Sequence, residues 1–341
     1  MPRISAIAEE DLPQLFELLD LVFRPNGTDT MEMETPQLFV PNNLRNCQVV
    51  YEDGRVVSHI GLLFRNAFVL GHTLSLCQVG AVATHPDARG RGLATKLLLH
   101  CMDLARERGT HVMMISGGRG LYLRNGARSV GAQHAGTLAA EQLAGLEADA
   151  WELRQLAPSD LPRASFFYRC KPIHFERCLD EWKLMHRHGK AQAGSARYLG
   201  CYRGEQLEGY LVASPSDKEG KVRLFEHGGL RDARLAGLKH LLSEKDASLV
   251  TFDLHASEIE MLEAVQALGA KLSATTVPGT VRVLAFESLM EQFRPWLAEQ
   301  IGTHEAAELR FAQRGDTYEV ALDPEKVLIE ATAIGLAGIP I

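Results

Sequence analysis

The sequence predicts a mixed α/β fold written twice, as two mixed-sheet domains in tandem with a short α+β extension behind them. Three observations predict it. The chain has 341 residues, 46% hydrophobic and 23% charged, enough apolar material for more than one core and too much for a disordered chain. Three local signatures recur in the same order at a nearly constant offset. Within each copy, short alternating runs give way to helical patterns that end on glycine. The expected divisions are 1–150, 151–287 and 288–341.

The first repeated signature is a short strand running into Asp-Leu-Pro, at Asp11-Leu12-Pro13 and again at Asp160-Leu161-Pro162. In both places the acidic side chain is expected to cap or favour a helix start, and proline fits the first turn. The second is a hairpin. Cys47 to Tyr51 alternates, Asp53-Gly54 turns, and Arg55 to Leu63 returns; Tyr198 to Tyr202, Gly204-Glu205 and Gln206 to Ala213 repeat it,. The third is Asn125-Gly126-Ala127-Arg128 against Leu268-Gly269-Ala270-Lys271. There glycine closes a short helix and a strand follows.

In copy one the expected order is strand 3–7, helix 10–23, a long connection to about 46, and strands 47–52, 55–64 and 73–84. Helix 91–108, strand 111–116, helix 120–125 and strands near 128–138 complete it. Copy two reads strand 152–156, helix 159–170, a helical connection 173–187, and strands 195–203, 206–214 and 221–227. Helix 231–245, strand 248–254, helix 257–268 and strands within 270–287 follow. The antiparallel front half marks each copy as a mixed layer rather than a doubly wound one.

Composition excludes several classes. A net charge of −7 argues against a general electrostatic grip on nucleic acid. No run approaches the ~18 apolar residues of a membrane span. Met1 to Ser5 has no basic start leading into an apolar run, so no secretory signal is expected. Cys47, Cys77, Cys101, Cys170, Cys178 and Cys201 include no Cys-x-x-Cys pair and read as reduced thiols. The expectation is a cytoplasmic protein, with no metal site and a homo-oligomeric assembly. Cys170, His174 and Cys178 have a spacing that mimics a metal site, but Pro172 interrupts the helix and no fourth ligand stands out.

The segment richest in chemistry runs from Gln78 to Leu98. A β-rich stretch ends at His85-Pro86, and Arg89-Gly90-Arg91-Gly92 then opens a helix whose apolar face is Leu93, Leu97, Cys101 and Leu104. Gly90 and Gly92 let the backbone approach a ligand closely. The free amides of a first helical turn, with the positive helix end, make an anion cradle suited to a diphosphate. Arg89 and Arg91 would add charge-assisted contacts. A glycine-rich turn of purely structural purpose has the same composition. No Gly-Lys-Ser/Thr follows, so this is not a P-loop, and the glycine spacing is not that of a dinucleotide fingerprint.

Arg89-Gly90-Arg91-Gly92-Leu93-Ala94 resembles the Arg/Gln-x-x-Gly-x-Gly/Ala signature of GNAT N-acetyltransferases, and Val82 to Pro86 resembles their V-x-x-x-P strand end. The resemblance implies two tandem GNAT-like domains and acetyl-CoA as acyl donor. It implies that Val82, Ala83 and Thr84 pair with the pantetheine arm, while Gly90, Arg91, Gly92, Leu93, Ala94 and Thr95, beside Arg89, hold the diphosphate. A GNAT domain followed by a degenerate copy and an extension is similar to the Eis-like (enhanced intracellular survival) acetyltransferases. Their Tyr-x-Arg-x-Gly segment matches Tyr122-Leu123-Arg124-Asn125-Gly126, implying Tyr122 as general acid and Gly117 and Gly118 as cofactor-lining residues. A phenol of pKa near ~10 suits a departing thiolate. Tyr122 as a packing aromatic is the competing reading.

The same resemblance implies that the C-terminal carboxylate, here on Ile341, serves as general base. Glu32 and Glu34, in the loop after the first helix, lie where such enzymes contact the substrate amine, although most loop acids are simply solvated. His85 is a weaker base candidate in a turn. The expected reaction is direct acetyl transfer to a primary amine of an aminoglycoside, a polyamine or a lysine-like group. The alternative is a non-catalytic acyl-CoA or lipid-binding sensor.

Copy two lacks both features. After Arg231 the place of the loop glycine is taken by Arg234, and Val265 stands four residues before Gly269 where Tyr122 stands four before Gly126. It is expected to shape the substrate cavity or the oligomer. The tail predicts an amphipathic helix carrying Leu289, Phe293, Trp296, Leu297 and Ile301. A hairpin through Gly315-Asp316 and a last helix from Glu325 to Ala333 follow. The Eis-like proteins carry a sterol-carrier-like module here, and this tail is short for one. Its apolar end, Ala333 to Ile341, is expected to be buried.

Overall fold

The computed structural model describes residues 2–25, 30–192, 194–315, 317–322 and 325–330. Ile341 and the apolar end therefore lie outside the described residues. The first sheet starts as a meander of β1 (Arg3–Ala6), β2 (Cys47–Glu52), β3 (Arg55–Val69) and β4 (His72–Thr84). Helix α1 (Leu12–Phe23) and the short α2 (Met31–Glu34) lie between β1 and β2. After α3 (Leu93–Glu107), β5 (Val112–Ile115) pairs with β4 in parallel. Ile60, Leu62, Cys77 and Val79 pack against Leu93, Leu97, Leu98 and Cys101 of α3, while Val49, Ala81 and Ala83 pack against Leu15, Leu18 and Leu19 of α1. Both faces of the sheet are thus covered, the layering expected of an amphipathic helix on each side.

The second sheet repeats the plan with β7 (Glu152–Gln155), β11 (Arg197–Arg203), β12 (Gln206–Ala213), β13 (Lys221–Gly229) and β14 (Leu249–His255). Helix α4 (Gly120–Arg124) of the first half has its counterpart in α8 (Ile259–Ala267), and α3 in α7 (Arg231–Leu242). The repeat extends to single hydrogen bonds. The Tyr51 hydroxyl donates to Asp11 at 2.8 Å and the Tyr202 hydroxyl to Asp160 at 2.7 Å. Neither aspartate caps its helix with its side chain. Each is instead the acceptor that satisfies a largely buried phenol, which corrects the capping expectation.

Each sheet also takes a strand from the other half of the chain. Strand β6 (Gln133–Ala139), expected in the first sheet, lies antiparallel to β14 in the second, between β14 and β15 (Leu272–Thr275). Strand β16 (Thr280–Val283) lies antiparallel to β5 in the first. The exchange covers the open edges of β5 and β14, each of which would otherwise expose unpaired backbone beside apolar side chains.

Three further expectations are corrected. Residues 173–175 are not helical: β8 (Ile173–Phe175) pairs with Ala67–Val69 at the far end of β3, and α6 (Leu179–His188) begins only after it, with α5 (Leu161–Arg169) before. Pro172 cannot continue α5, and the long β3 offers it an edge. The amphipathic helix of the tail is split into α9 (Phe286–Gln292) and α10 (Arg294–Ile301), with Pro295 in the first turn of α10, and α11 (Thr303–Glu308) follows. The segment expected as a last helix is strand β19 (Glu325–Glu330), paired with β18 (Thr317–Leu322), itself paired with β17 (Arg310–Arg314). Val327, Leu328 and Ile329 suit a strand, and the unpaired edge of β18 decides the outcome. A short hairpin, β9 (Lys190–Ala191) and β10 (Gly194–Ser195), completes the described elements. No described helix is long and apolar enough to cross a membrane.

Candidate active site

The site is made by two strands that part. β4 and β5 stay in register from Leu76 with Val112 to Val79 with Ile115, with a last bond from the Ser116 amide to the Val79 carbonyl at 3.4 Å. Beyond that point β4 continues to Thr84 on β3 alone, so a cleft opens along Val82, Ala83 and Thr84 with backbone groups on its edge. A bulge at the opening separates the pairs Gly61–Gly80 and His59–Ala83, and Ala81 within it has a left-handed φ of 52°. A bulge turns the strand and changes which way its peptide groups point.

At the wide end of the cleft lies the Gly/Arg loop. Gly90 and Gly92 have φ of 77° and 75°, and a Cβ built on either would meet nothing within 4 Å. The glycines are therefore needed for backbone conformation and not for packing, and the space beside them is open. The first helical bond of α3 runs from the Lys96 amide to the Gly92 carbonyl at 3.1 Å. Among the described residues, the amides of Gly90, Arg91, Gly92, Leu93, Ala94 and Thr95 donate no hydrogen bond. Free amides at a positive helix end, with room in front of them, fit a diphosphate.

The two arginines serve other partners. Arg91 forms a bidentate pair with Glu52 at 2.8 and 2.6 Å, and the Arg89 Nε donates to the Thr84 carbonyl at 3.2 Å. Arg91 thus contributes to the cradle through its backbone. His85 accepts the Asp87 amide at 3.3 Å and so caps the turn before the loop.

Tyr122 lies on α4, which follows β5 and the Gly117–Gly118 segment. It is 4% exposed and packs in the α3 core. Its phenol makes no hydrogen bond among the described residues. Burial raises its pKa, against a smaller lowering by the Arg119 charge, so the phenol is protonated at neutral pH,. The edge of its ring lies 3.6 Å from where a Cβ on Gly117 would stand. The Gly117 carbonyl is held by the Thr280 hydroxyl of the exchanged strand β16 at 2.9 Å. Gly118 is exposed with open space around it.

Glu34 is buried and its carboxylate takes both ends of the Arg24 guanidinium, whereas Glu32 is exposed. His174 donates from Nδ1 to the Lys171 carbonyl at 2.8 Å and stacks on Phe68, while Cys170 and Cys178 are exposed. Among the described residues, no group of three His, Cys, Asp or Glu side chains could hold a metal ion.

Two residues of the site escape a reading from sequence. Thr280 arrives from 163 positions away, and no local pattern announces that. His59 sits in the middle of β3 with no exposure, its Nδ1 2.7 Å from the Ala81 carbonyl in the bulge. A histidine beside Ser58 in a mainly apolar strand run is its only sequence signal.

The second half has the same parting of strands without the cradle. β13 and β14 separate after Leu224 and Phe252. The loop from His85 to Gly92 is replaced by the single residue Leu230, and α7 starts at once with the Arg231–Asp232 pair. The Arg234 guanidinium turns inward, bonding His227 at 3.2 Å and Glu260 at 2.8 Å, while Glu258 takes Lys171 at 2.9 Å and lies 3.3 Å from His227. Burial first, and the Lys171 charge second, push the His227 imidazole down to about 3. A cavity of about 180 Å³ remains, lined by Lys171, His227, His255 and Glu258 among others. Val265 occupies the place of Tyr122. The Ala127 amide bonds the Tyr122 carbonyl at 3.1 Å, and the Ala270 amide bonds the Val265 carbonyl at 2.9 Å.

Residues 3–130 match the acetyltransferase (GNAT) domain family. No curated protein matches the chain. Among solved structures, a GCN5-related N-acetyltransferase from Anabaena variabilis is similar with a TM-score of 0.67 at 14% identity, over 97% of this chain and 85% of that one. One from Kribbella flavida gives 0.65 at 15% identity, over 96% and 84%. Eis1 from Mycobacterium abscessus gives 0.63 at 12% identity, over 96% and 85%. At these identities the likeness is one of fold: a mixed α/β, GNAT-like architecture consistent with tandem domains.

Proposed function

We propose that the chain is an acetyl-CoA-dependent N-acetyltransferase whose working site lies in residues 1–150, with 151–287 a degenerate GNAT-like copy and 288–341 an extension. The observation that carries this reading is the run of unpaired amides from Gly90 to Thr95 facing open space at the start of α3. Acetyl-CoA would supply an activated thioester. The chain's own residues bind and orient it: the loop amides and helix end take the diphosphate, and the free edge of Val82 to Thr84 takes the pantetheine arm.

Tyr122, buried and protonated, has no competing partner among the described residues and can give its proton to the departing sulfur,. Glu32, exposed where Glu34 is committed to Arg24, is the freer of the two α2 acids to meet a cationic amine. The carboxylate of Ile341 is proposed as the proton acceptor on the resemblance to the Eis-like proteins alone. The acceptor class is a primary amine of an aminoglycoside, a polyamine or a lysine-like group.

Calorimetry with coenzyme A, followed by thiol release from acetyl-CoA across an amine panel, tests the proposal. Binding with amine-dependent thiol release supports it. Absence of binding ends it, and binding without release by any amine replaces it with an acyl-CoA sensor.

A further inference from the structure

Where β13 and β14 part, the second half keeps a cavity of about 180 Å³. Water occupies ~30 Å³ per molecule, so the space exceeds what a single bridging water fills. Pro172, Ile173, Leu224 and Phe225 supply the apolar part of its lining, and Lys171, His255 and Glu258 are among its polar groups.

The hydrogen bonds fix what these polar groups have left to offer. Burial, against a smaller raising by the Glu258 charge, holds the His255 imidazole below its ordinary pKa, so at neutral pH the ring carries one proton,. Its Nδ1 accepts the Ser257 amide at 3.1 Å, which places that proton on Nε2,. Nε2 is buried, and among the described residues it has no partner. A buried donor without an acceptor is destabilising, and folded chains rarely keep one. Lys171 gives one of its three N–H groups to Glu258 at 2.9 Å, and among the described residues the other two meet no acceptor,. The same Glu258 carboxylate takes the His255 amide at 3.2 Å, so one side chain holds both donor residues at the cavity.

The carboxylates of the lining are, in contrast, committed. Glu258 is also 3.3 Å from the His227 ring. Glu226 takes both ends of the Arg177 guanidinium and the Tyr210 hydroxyl. Asp253 lies 3.5 Å from Arg223. Lys171, Arg177 and Arg223 thus balance three carboxylates, and an added charge would enter a largely buried space with no counter-ion of its own. What complements the two donors is an oxygen that accepts without carrying charge. A carbonyl oxygen has two lone pairs, one for each.

We propose that this cavity is a binding site for a small uncharged carbonyl compound, an amide of a few carbons, whose oxygen accepts from His255 Nε2 and Lys171 Nζ. Its carbon chain lies against the apolar part of the lining. The site is separate from the first cleft, and the inference does not rest on the acetyl-transfer reading.

Butyramide, butyrate and butylamine share a skeleton and differ in charge. Each is titrated to about 50 mM, the range in which fragments of this size bind, into the full chain labelled with 15N-histidine. Butyramide should move the Nε2 resonance of His255 saturably and bind at least ~5-fold more tightly than either charged analogue. His255→Asn keeps an acceptor for the Ser257 amide, removes the Nε2 donor and identifies the resonance by its loss. It should weaken butyramide binding on the order of 10-fold, with Tm and the affinity for coenzyme A unchanged. Tighter binding of butyrate would overturn the uncharged class, and an unaltered butyramide affinity in His255→Asn would overturn His255 as donor. If none of the three moves the ring, the cavity is not a carbonyl site and water takes both donors. The wild-type titration decides this even where His255→Asn lowers Tm.

Discussion

Arg234, on the first turn of α7, donates to the Nδ1 of His227 at 3.2 Å, in the half whose strand-to-helix junction is the single residue Leu230 and not a glycine loop. The first copy spends its loop on unpaired amides, and the second replaces the loop with one residue and a buried charge network. The carboxylate of Asp232 at the start of α7 would also repel a diphosphate,. The expected stoichiometry is therefore one coenzyme A per chain by calorimetry, and a value of two would contradict this account. Arg234→Ala should leave that affinity unchanged. It should cost about 2 kcal/mol of stability, because it orphans His227 in a buried position.

Tyr122→Phe separates chemistry from binding. It removes only the hydroxyl, so affinity for coenzyme A should stay within about 3-fold while kcat falls by on the order of 10²-fold, the low end for a lost general acid. Burial places the folded pKa of Tyr122 above its ordinary value near 10. With the proposed acid role the protonated form would be the active one, so the wild-type rate should not decline through this group until the pH exceeds about 10. An earlier alkaline limb that survives in Tyr122→Phe would assign that limb to another group.

Two neighbouring residues of the loop, Arg91 and Gly92, should behave differently. The Arg91 guanidinium is committed to Glu52 on the surface, so Arg91→Ala should change coenzyme A affinity by no more than about 3-fold, as for an exposed ion pair worth ~0–1 kcal/mol. Gly92→Val forces a β-branched residue into a left-handed conformation at the helix start. It should cost about 1–2 kcal/mol of stability and weaken coenzyme A binding more than 10-fold. Equal effects in a titration of both variants would mean that side-chain charge, not backbone, holds the ligand.

Acid should destabilise the fold before any carboxylate network fails. His59 and His227 are neutral in the folded chain, pushed by burial to about 4 and about 3, against ~6.5 when unfolded,. Below pH 6.5 the unfolded chain binds more protons, so stability falls as pH drops toward the folded values, by about 1.4 kcal/mol per pH unit for each histidine. Urea unfolding at pH 7, 6 and 5 should show this slope, and His227→Leu should reduce it. A slope unchanged in that variant would locate the effect elsewhere.

The strand exchange makes the halves interdependent. A fragment ending at residue 150 lacks β16, which covers β5 and supplies the Thr280 hydroxyl to the Gly117 carbonyl. Expressed alone it should aggregate through the bared β5 edge, and co-expression with residues 151–341 should restore a soluble complex. Thr280→Val in the whole chain should leave the fold intact within about 1 kcal/mol and loosen the Gly117–Gly118 loop, read as faster amide exchange there.

Local chemistry determined a good deal of this protein. The Asp11 and Asp160 signatures, the paired hairpins and the glycines at 126 and 269 announce a repeated mixed α/β plan, because turn and helix-end requirements act over a few residues. The loop at Gly90 and Gly92, and the contrast between Tyr122 and Val265, could be read the same way. Tertiary structure alone decided what depends on partners distant in sequence: the parting of β4 from β5, the crossing of β6 and β16 between sheets, and the pairing of β19 with β18 in place of a helix. It also decided that Arg91 and Glu34 serve other charges, and that His59 reaches the Ala81 carbonyl. A residue type states which bonds it is able to make, and only the assembled fold settles which group stands within reach to make them.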